Sequence, residues 1–343
     1  MRVMEMRDDW GLDHIVAGTR PDPGPPGPGQ VLVKLEAASL NYRDLVMADR
    51  GYGRHGGDLP LIPVSDGAGH VVAVGPGVTR CVIGDLVCPA FSQSWMSGPL
   101  HESHRGGMLG GTLPGVMREL AIFSEEGVVK APRGWSALEA ATLPCAAVTA
   151  WNAIVGNGTK TGDAVVTQGT GGVALFAMQF ARIAGATTIV TSSSDEKLAR
   201  AKAMGADLGI NYRTQPKWSG AVREALGGRG ADLVVDIGGA ATLVESVRAV
   251  RVSGTVVLIG VMGGGNAPLE LGRVVTQAIK LVAATCGSRD MFEDMVRAID
   301  RHGIRPAIDA HIYGFDELVP ALRALKEARH FGKIGLDFAK GRG

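Results

Sequence analysis

The chain has 343 residues, more than a single hydrophobic core usually supports, so we expect two domains. It is 45% apolar and 20% charged with a net charge of +1, and it lacks the basic blocks that general binding to nucleic acid or to an acidic membrane would need. Its four cysteines are scattered, which argues against a disulfide framework. It shows no apolar leader and no run long enough to cross a membrane, which argues against a membrane anchor. These features predict a cytoplasmic protein that acts on a small molecule.

The first third of the chain predicts short strands joined by turns. After the proline- and glycine-rich segment 21–29, strand patterns occupy residues 31–37, 70–75 and 84–89. Residues 90–115 then lose all periodicity and are rich in Gly, Ser, His and Pro. Because a loop of this length in a compact domain is usually functional or mobile, we expect it to shape the substrate pocket.

From about residue 137 the pattern becomes helical, and from Asp163 onward strands and helices alternate. Strand patterns occupy residues 164–167, 187–191, 231–237, 255–261 and 280–286. This alternation predicts an α/β fold with a doubly wound parallel sheet, whose ligands lie at the carboxyl ends of the strands. Glycines after two of these strands, Gly260 among them, are equally consistent with backbone close to a cofactor and with plain turns. The tail, residues 315–338, is a helix and a return strand expected to rejoin the first domain.

A glycine turn joins the first of these strands to the helix that follows. Gly169-Thr-Gly171-Gly172-Val173-Ala174 has the form G-x-G-x-x-A of a dinucleotide site. Gly169 permits the tight turn, Gly171 lets backbone approach a pyrophosphate, and Ala174 lets the helix press on the strand. The helix N-terminus would present free N–H groups and its positive dipole end to the phosphates. We therefore predict cofactor contacts from Gly169, Gly171, Gly172 and Val173.

The residues that follow the second strand favour NADPH. An NAD-binding fold places an acid about 20 residues after the fingerprint to hold the ribose 2′-hydroxyl, and here that position is Ser192. Ser193, Ser194 and Lys197 follow it. The three serine hydroxyls and the lysine would donate hydrogen bonds to a 2′-phosphate, which a carboxylate at this place would repel. Ser194 or Asp195 could instead cap a helix over residues 196–204, a role compatible with phosphate binding.

Six short stretches, spread over essentially the whole chain, match the motifs of one known family: Asn41-Tyr-Arg-Asp44, residues 65–75, Gly84-Asp85, residues 143–151, the glycine turn and Phe331-Gly-Lys333. In these stretches the chain resembles the medium-chain dehydrogenases/reductases. The resemblance implies a GroES-like β-barrel catalytic domain at residues 1–127 and 289–343. A Rossmann cofactor domain at residues 128–288 would be inserted into it, with the active site in the cleft where the two meet.

The same resemblance implies further cofactor contacts and an assembly. Thr149 matches a threonine on the nicotinamide side, Lys197 and Tyr212 match residues that hold the 2′-phosphate, and Lys333 matches a lysine near the cofactor. The edge strand at residues 280–286 resembles the one that pairs across a two-fold axis in family dimers. We therefore expect a homodimer, since an unpaired apolar edge invites aggregation.

The family contains zinc alcohol dehydrogenases and zinc-free quinone or enone reductases. A catalytic zinc needs about three Cys, His or carboxylate ligands. Where the zinc members have a cysteine and a histidine, this chain has Asn41 and Ser65, so only Asp66 and Cys145 remain as ligands. The resemblance therefore predicts no catalytic metal.

The four-cysteine structural zinc loop of the family is also missing, because residues 90–115 contain no cysteine. His101 and His104 in this loop are spaced like a ligand pair, but two histidines in a loop are more often polar surface.

Without a metal, protein donors must polarise the acceptor oxygen as hydride arrives. Asn41 stands at the position of the missing ligand, and Tyr52 lies near the place where quinone reductases of this family carry a tyrosine. The structural alternatives are that Asn41 only caps a helix beginning at Tyr42 and that Tyr52 only packs. Asp44 is expected to orient its neighbours.

These residues predict a zinc-independent, NADPH-dependent reductase of quinones or α,β-unsaturated carbonyl compounds. Two alternatives stay open. One is an alcohol dehydrogenase or carbonyl reductase of the same fold, and the other is a non-catalytic NADPH-binding protein.

Overall fold

The computed structural model describes residues 1–341, apart from the side chains of Arg54 and His55. It forms two compact units, the first comprising Met1–Val148 with Gly287–Gly343 and the second Thr149–Cys286. In the described residues no helix is both long and apolar enough to cross a membrane.

The strands, in chain order, are β1 (Arg2–Met6), β2 (Ile15–Thr19), β3 (Gln30–Ser39), β4 (Asp66–Val74), β5 (Leu86–Pro89), β6 (Leu120–Ser124), β7 (Val128–Lys130), β8 (Ala164–Gln168), β9 (Thr187–Ser192), β10 (Leu208–Asn211), β11 (Ala231–Asp236), β12 (Val250–Leu258), β13 (Lys280–Ala283), β14 (Tyr313–Gly314) and β15 (Gly335–Asp337). The α-helices are α1 (Tyr42–Ala48), α2 (Ala137–Ala140), α3 (Val148–Ile154), α4 (Gly172–Ile183), α5 (Asp195–Ala203), α6 (Trp218–Ala225), α7 (Leu243–Ala249), α8 (Leu271–Thr276), α9 (Arg289–His302) and α10 (Leu318–Lys326).

The first unit is built around β3, whose alternate residues are buried as its pattern predicts. β3 pairs antiparallel with β4, β6 and β15, so the last strand of the chain lies in the same sheet as the first third. The fully buried side chains of Val31, Val33, Val87 and Val116 lie in its core.

Residues 128–148 belong to this first unit, although the sequence analysis placed them in the cofactor domain. β7 pairs antiparallel with β5, which fixes the chain at residues 128–130 to the sheet. Farther on, Ser39 Oγ donates to the carbonyl of Ala141 at 2.8 Å. Hydrogen bonds therefore hold this segment to β3 and β5 before the chain enters the second unit.

The second unit is an all-parallel six-stranded sheet in the order β10-β9-β8-β11-β12-β13. This confirms the doubly wound Rossmann arrangement. The strand order reverses between β8 and β11, and in such sheets ligands bind beside that reversal, at the carboxyl ends of the strands. The glycine turn follows β8, so the fold places it at that edge.

One predicted helix is broken. The helical pattern that begins at residue 137 predicts an uninterrupted helix, but α2 ends at Ala140 and a π-helical turn, Leu143–Ala147, leads into α3. Pro144 lies in that turn, and its missing N–H prevents the regular hydrogen-bond ladder from continuing.

Candidate active site

A buried carboxylate stands at the start of β4 in the first unit. The side chains of Ser65 and Asp66 are both inaccessible to solvent. Ser65 Oγ donates to Asp66 Oδ1 at 2.7 Å, and the backbone N–H of Cys145 donates to Asp66 Oδ2 at 3.0 Å. Both oxygens of this carboxylate therefore accept hydrogen bonds from the protein itself.

The ammonium of Lys333 lies beside this carboxylate. Lys333 is only 3% exposed, and its Nζ is 3.8 Å from Asp66 Oδ2. Nζ donates to the carbonyl of Leu40 at 2.6 Å and to Asn41 Oδ1 at 2.5 Å. The residue that the resemblance placed near the cofactor thus has its described hydrogen bonds inside the first unit, and its cofactor contact stays a prediction.

Asn41 directly precedes the helix α1, and its side chain has a donor without a partner in the described residues. It holds the N-cap position, and Asp44 Oδ2 accepts from the Asn41 backbone N–H at 2.8 Å. The N–H of Asp44 donates to the backbone carbonyl of Asn41, whereas the Asn41 side chain makes no capping hydrogen bond to the helix. Asn41 Nδ2 is buried and has no hydrogen-bond partner in the described part of the chain. Helix capping leaves this donor unexplained.

Asp44 is buried and is held by its own helix. Arg43 donates to Asp44 Oδ1 at 3.2 Å. Burial raises the pKa of Asp44 to about 6, because desolvation of the charged carboxylate outweighs the guanidinium of Arg43 and the N–H of Asn41, which both lower it. These contacts fit an orienting role for Asp44, which stays a prediction.

Arg43 connects α1 to the irregular loop, a role that the sequence analysis missed. Its guanidinium donates to the carbonyls of Leu109 and Gly110 and lies 5.0 Å from the ring centre of Phe91. The only sequence signal was its place between Asn41 and Asp44, because a loop carbonyl as partner leaves no mark in the sequence.

Tyr52 lies in the electrostatic field of the same cluster. Its side chain is 41% exposed. Burial of the ring raises its pKa, Arg43 opposes this with its charge and a hydrogen bond, and Cys145 and Asp44 reinforce it. The predicted tyrosine thus remains protonated at neutral pH and can donate.

A zinc ion does not fit this donor set. No three His, Cys, Asp or Glu side chains within the described residues come together as a metal site. Asp66 already accepts two protein hydrogen bonds, and the Lys333 ammonium next to it would repel a second cation. No catalytic step is therefore derived through a metal.

The predicted histidine pair, His101 and His104, makes its described contacts within the irregular loop. His104 Nδ1 accepts from the backbone N–H of His101 at 3.0 Å, and its ring stacks on Trp95 with the centroids 5.9 Å apart.

In the second unit, the glycine turn forms an open cradle. Gly169 has a φ of +83°, which favours glycine, and its N–H donates to the carbonyl of Thr191. A Cβ added to Gly169 or Gly171 would meet nothing within 4 Å, so the backbone there is open to a ligand. Gly172 and Val173 begin α4, a helix of 12 residues, whose first N–H groups have no intrahelical partner. These features fit a pyrophosphate.

The predicted ribose pocket assembles at the end of β9. Ser192 Oγ accepts from the N–H of Ser194 at 3.3 Å, with Ser193 half-buried between them. Ser194 caps α5 by accepting from the N–H of Lys197, as the alternative proposed. The backbone N–H of Tyr212 donates to the Ser192 carbonyl at 3.0 Å. Hydrogen bonds thus link the residues predicted to hold the 2′-phosphate, and their contact with a cofactor stays a prediction.

Gly260 has a structural explanation that needs no cofactor. A Cβ on it would come within 2.5 Å of the Ile237 carbonyl oxygen, so the loops after β11 and β12 pack tightly together. A network that the sequence analysis missed holds the first of these loops. The buried Asp236 accepts from Ser246 Oγ and from Gln168 Nε2, and Gln168 Oε1 accepts from the N–H of Ile237. Cofactor contact by Gly260 stays a prediction.

Thr149 is buried in α3, at the start of the second unit. The structure thus groups the predicted residues into two sets. Asn41, Asp44 and Lys333, with Tyr52 in their field, lie in the first unit, and the glycine turn with the ribose pocket lies in the second.

Comparison with known proteins supports the same reading of the fold. A family model described as an alcohol dehydrogenase GroES-like domain matches residues 27–133, and one described as a zinc-binding dehydrogenase matches residues 172–301. A zinc-type alcohol dehydrogenase-like protein of Schizosaccharomyces pombe is 38% identical, with 95% of this chain and 96% of that protein covered. The fold and these matches define an oxidoreductase of the α/β class. The chain belongs to the medium-chain dehydrogenase/reductase superfamily.

Two solved structures are similar to this chain over nearly its whole length. A putative alcohol dehydrogenase from Sinorhizobium meliloti is 40% identical with a TM-score of 0.90, covering 98% of this chain and 99% of that one. A structure titled NAD-dependent alcohol dehydrogenase is 31% identical with a TM-score of 0.89 and the same coverage.

Two more distant matches have names that bear on cofactor and substrate. A mycobacterial protein solved with NADPH is 26% identical with a TM-score of 0.80, covering 98% of this chain and 99% of that one. A 2-methylene-furan-3-one reductase of Solanum lycopersicum is 29% identical over 89% of this chain and 71% of that protein.

Proposed function

We propose that the protein is a zinc-independent, NADPH-dependent reductase of quinones or α,β-unsaturated carbonyl compounds. The observation that carries the proposal is the buried Lys333–Asn41 pair beside Asp66. The resemblance puts Asn41 at the position of a zinc ligand, and the structure gives its amide a donor without a partner in the described residues and a protein cation beside it. The reductase named among the relatives acts on an enone-type substrate, which supports this class.

Asn41, Tyr52 and Asp44 have different roles in the proposed reaction. When bound, NADPH supplies the hydride, and one proton completes the reduction of the substrate. Asn41 Nδ2 is the donor for the oxygen on which charge accumulates, because that donor is unused in the free protein. Tyr52 carries its proton at neutral pH, as an ordinary tyrosine does, and it donates that proton to the reduced substrate. Asp44 holds the helix that carries Asn41.

The cofactor preference rests on the second unit. Ser192, Ser194, Lys197 and Tyr212 converge after β9 and β10, and no acid occupies the place of the ribose-binding carboxylate. Asp195, the nearest acid in the sequence, accepts from Asn211 Nδ2 at 2.8 Å. The pocket therefore favours the 2′-phosphate of NADPH over the free hydroxyl of NADH.

The proposed homodimer rests on an exposed edge. β13 is the last strand of the parallel sheet, and exposed apolar side chains lie in β12, in the loop that follows it and in α8, which precedes β13. We call them the edge patch: Val252, Val261, Met262, Leu271 and Val275. A second copy that pairs along β13 would cover both the strand edge and these side chains.

One experiment tests the function. Purified protein is assayed for NADPH oxidation with a panel of quinones, enones and aldehydes, and its metal content is measured. We expect turnover with quinones or enones and less than stoichiometric zinc. Stoichiometric zinc with turnover of simple alcohols or aldehydes would instead favour an alcohol dehydrogenase, which the names of most relatives suggest. Tight NADPH binding without turnover of any panel member would favour a non-catalytic protein.

A further inference from the structure

The hydrogen bond between Lys333 and Asn41 fixes the direction of the Asn41 amide. A lysine ammonium has donors only, so the amide atom that faces it must be Oδ1. The other end of the amide, Nδ2, is then the donor left over. Asn41 is 8% exposed, and its Nδ2 is buried without a partner in the described residues. Since buried polar groups are almost always paired, such a donor indicates a ligand that is bound during function.

A buried cation on the acceptor end of an amide strengthens its donor end. Hydrogen bonds in a chain polarise one another, and the effect is larger where water is excluded. Lys333 is buried, and it is held in place by the Leu40 carbonyl at 2.6 Å and by Asp66 at 3.8 Å. The ammonium therefore has a fixed position beside the Leu40 carbonyl, the Asn41 amide and the Asp66 carboxylate. Of these groups, only Asn41 has a free donor.

We propose that Lys333 is a positioning residue of the catalytic centre, whose ammonium orients and polarises Asn41 so that Asn41 Nδ2 donates to the substrate oxygen that gains negative charge. In this way Lys333 supplies the positive charge that zinc supplies in the metal-dependent members of the family. The proposal rests on the proposed function and differs from the cofactor contact that the resemblance implied for Lys333. Asn41 Nδ2 has no partner within the described residues of the free protein, so its hydrogen bond to the substrate forms only when the substrate binds.

The test compares Lys333→Met, which removes the charge, with Asn41→Asp, which keeps an acceptor for the ammonium but removes the donor. Lys333→Arg serves as the charge-conserving rescue, and Lys326→Met, at an exposed lysine of α10, is the matched control. For each full-length variant, kcat and KM are measured with 1,4-naphthoquinone and cyclohex-2-en-1-one at saturating NADPH. The Kd for NADPH is measured separately by fluorescence.

We expect Lys333→Met and Asn41→Asp each to lower kcat about 100-fold, the cost of removing one oxyanion donor, while KM and the Kd for NADPH change less than about 3-fold. The double variant should be no slower than the slower single variant, because both changes disable one donor. Lys333→Arg should recover part of the loss, and Lys326→Met should have no effect.

A different pattern overturns the proposal. If Lys333→Met raises the Kd for NADPH about 10-fold or more and kcat at saturation is normal, Lys333 serves the cofactor. If the two single losses multiply in the double variant, Lys333 does not act through Asn41. If Lys333→Met fails to fold, Asn41→Asp decides, and an unchanged kcat in that variant overturns the proposal.

A measurement without turnover separates this proposal from the proposed function. Binding of 4-nitrophenol in the presence of NADP⁺ is followed by the absorbance of its phenolate. A polarised Asn41 donor should lower the pKa of the bound phenol below its value in water, and Lys333→Met and Asn41→Asp should remove that shift. An unshifted pKa, or no binding to the wild-type protein, contradicts the role of Lys333 whether or not a substrate is found. Wild-type turnover of the panel, in contrast, tests the proposed function alone.

Discussion

The backbone N–H of Cys145 donates to Asp66 Oδ2, a bond that joins residues 79 positions apart at the centre of the first unit. Asp66 is therefore fixed from two sides, by Ser65 and by Cys145, while it faces the Lys333 ammonium. In this geometry the negative charge of the Asp66 carboxylate balances the positive charge of the Lys333 ammonium.

Loss of that charge should destabilise the protein strongly. Asp66→Asn keeps the shape of the side chain but leaves the buried ammonium of Lys333 without its counter-charge. Removal of one partner of a buried pair costs about 3 kcal/mol or more in the free energy of unfolding, which urea denaturation measures. The control is Glu102→Gln, which breaks the exposed pair with Arg105 and should cost less than about 1 kcal/mol. Equal losses in the two variants would show that Asp66 does not carry this charge balance.

The stability of the protein should depend on pH through Asp44. Burial raises its pKa from 3.8 to about 6, so the folded state binds a proton that the unfolded state releases between these values. The stabilisation is complete below about pH 4 and is lost as pH rises through about 6, and a shift of about two pK units corresponds to about 3 kcal/mol.

Asp44→Asn removes this titration, so it serves as the reference. The difference in free energy of unfolding between wild type and Asp44→Asn should move against the wild type from pH 4 to pH 7, as measured by urea denaturation at each pH. Parallel pH profiles of the two proteins would contradict the raised pKa of Asp44.

The cofactor preference should depend on Lys197. Its ammonium is expected to bind the 2′-phosphate, which NADH lacks, so Lys197→Ala should weaken NADPH binding about 10- to 100-fold and leave NADH binding nearly unchanged. Isothermal titration with each cofactor measures both constants. Lys202→Ala, at an exposed lysine of the same helix α5, is the control. Equal losses for the two cofactors would place Lys197 away from the 2′-phosphate.

The fold was predictable largely because its local patterns agree with its packing. β8 and β11 each contain an apolar run of three residues, Ala164–Val166 and Leu233–Val235, and the structure buries both strands in the middle of a parallel sheet. The broken helix around Pro144 shows the limit, because apolar periodicity hid the effect of a missing N–H. The sequence pattern also put the domain boundary too early, since the pairing of β7 with β5 is a long-range contact.

The candidate site was predictable only in its parts. Motifs and the family resemblance brought out Asn41, Asp44 and Lys333 one by one. The hydrogen bond between Asn41 and Lys333 joins residues 292 positions apart, and no local pattern encodes such a contact. The same holds for the bond between Gln168 and Asp236, which joins two strand ends 68 residues apart. The chemistry of each residue is in the sequence, whereas its partner is in the fold.

Tyr52 should contribute to turnover and not to cofactor binding. Tyr52→Phe removes the hydroxyl donor without changing the ring, so kcat should fall about 100-fold, the lower end for a lost general acid. The Kd for NADPH should stay the same. Tyr42→Phe, at an exposed tyrosine on the neighbouring helix α1, should leave kcat unchanged. An unchanged kcat in Tyr52→Phe would favour the packing alternative.

The proposed dimer can be tested at the edge patch. Val275 is 77% exposed in the single chain, so a partner that pairs along β13 would remove its apolar surface from water. Val275→Asp would place a charge in the contact between two copies, so sedimentation equilibrium should show a dimer for the wild type and at least a 10-fold weaker association for the variant, about 1.4 kcal/mol. Val82→Asp, at a 61% exposed valine in the first unit, is the matched control and should remain dimeric. A wild-type protein that sediments as a monomer at micromolar concentration would remove the need for a partner at β13. In that case the short length of β13, four residues, would be what protects the edge from aggregation.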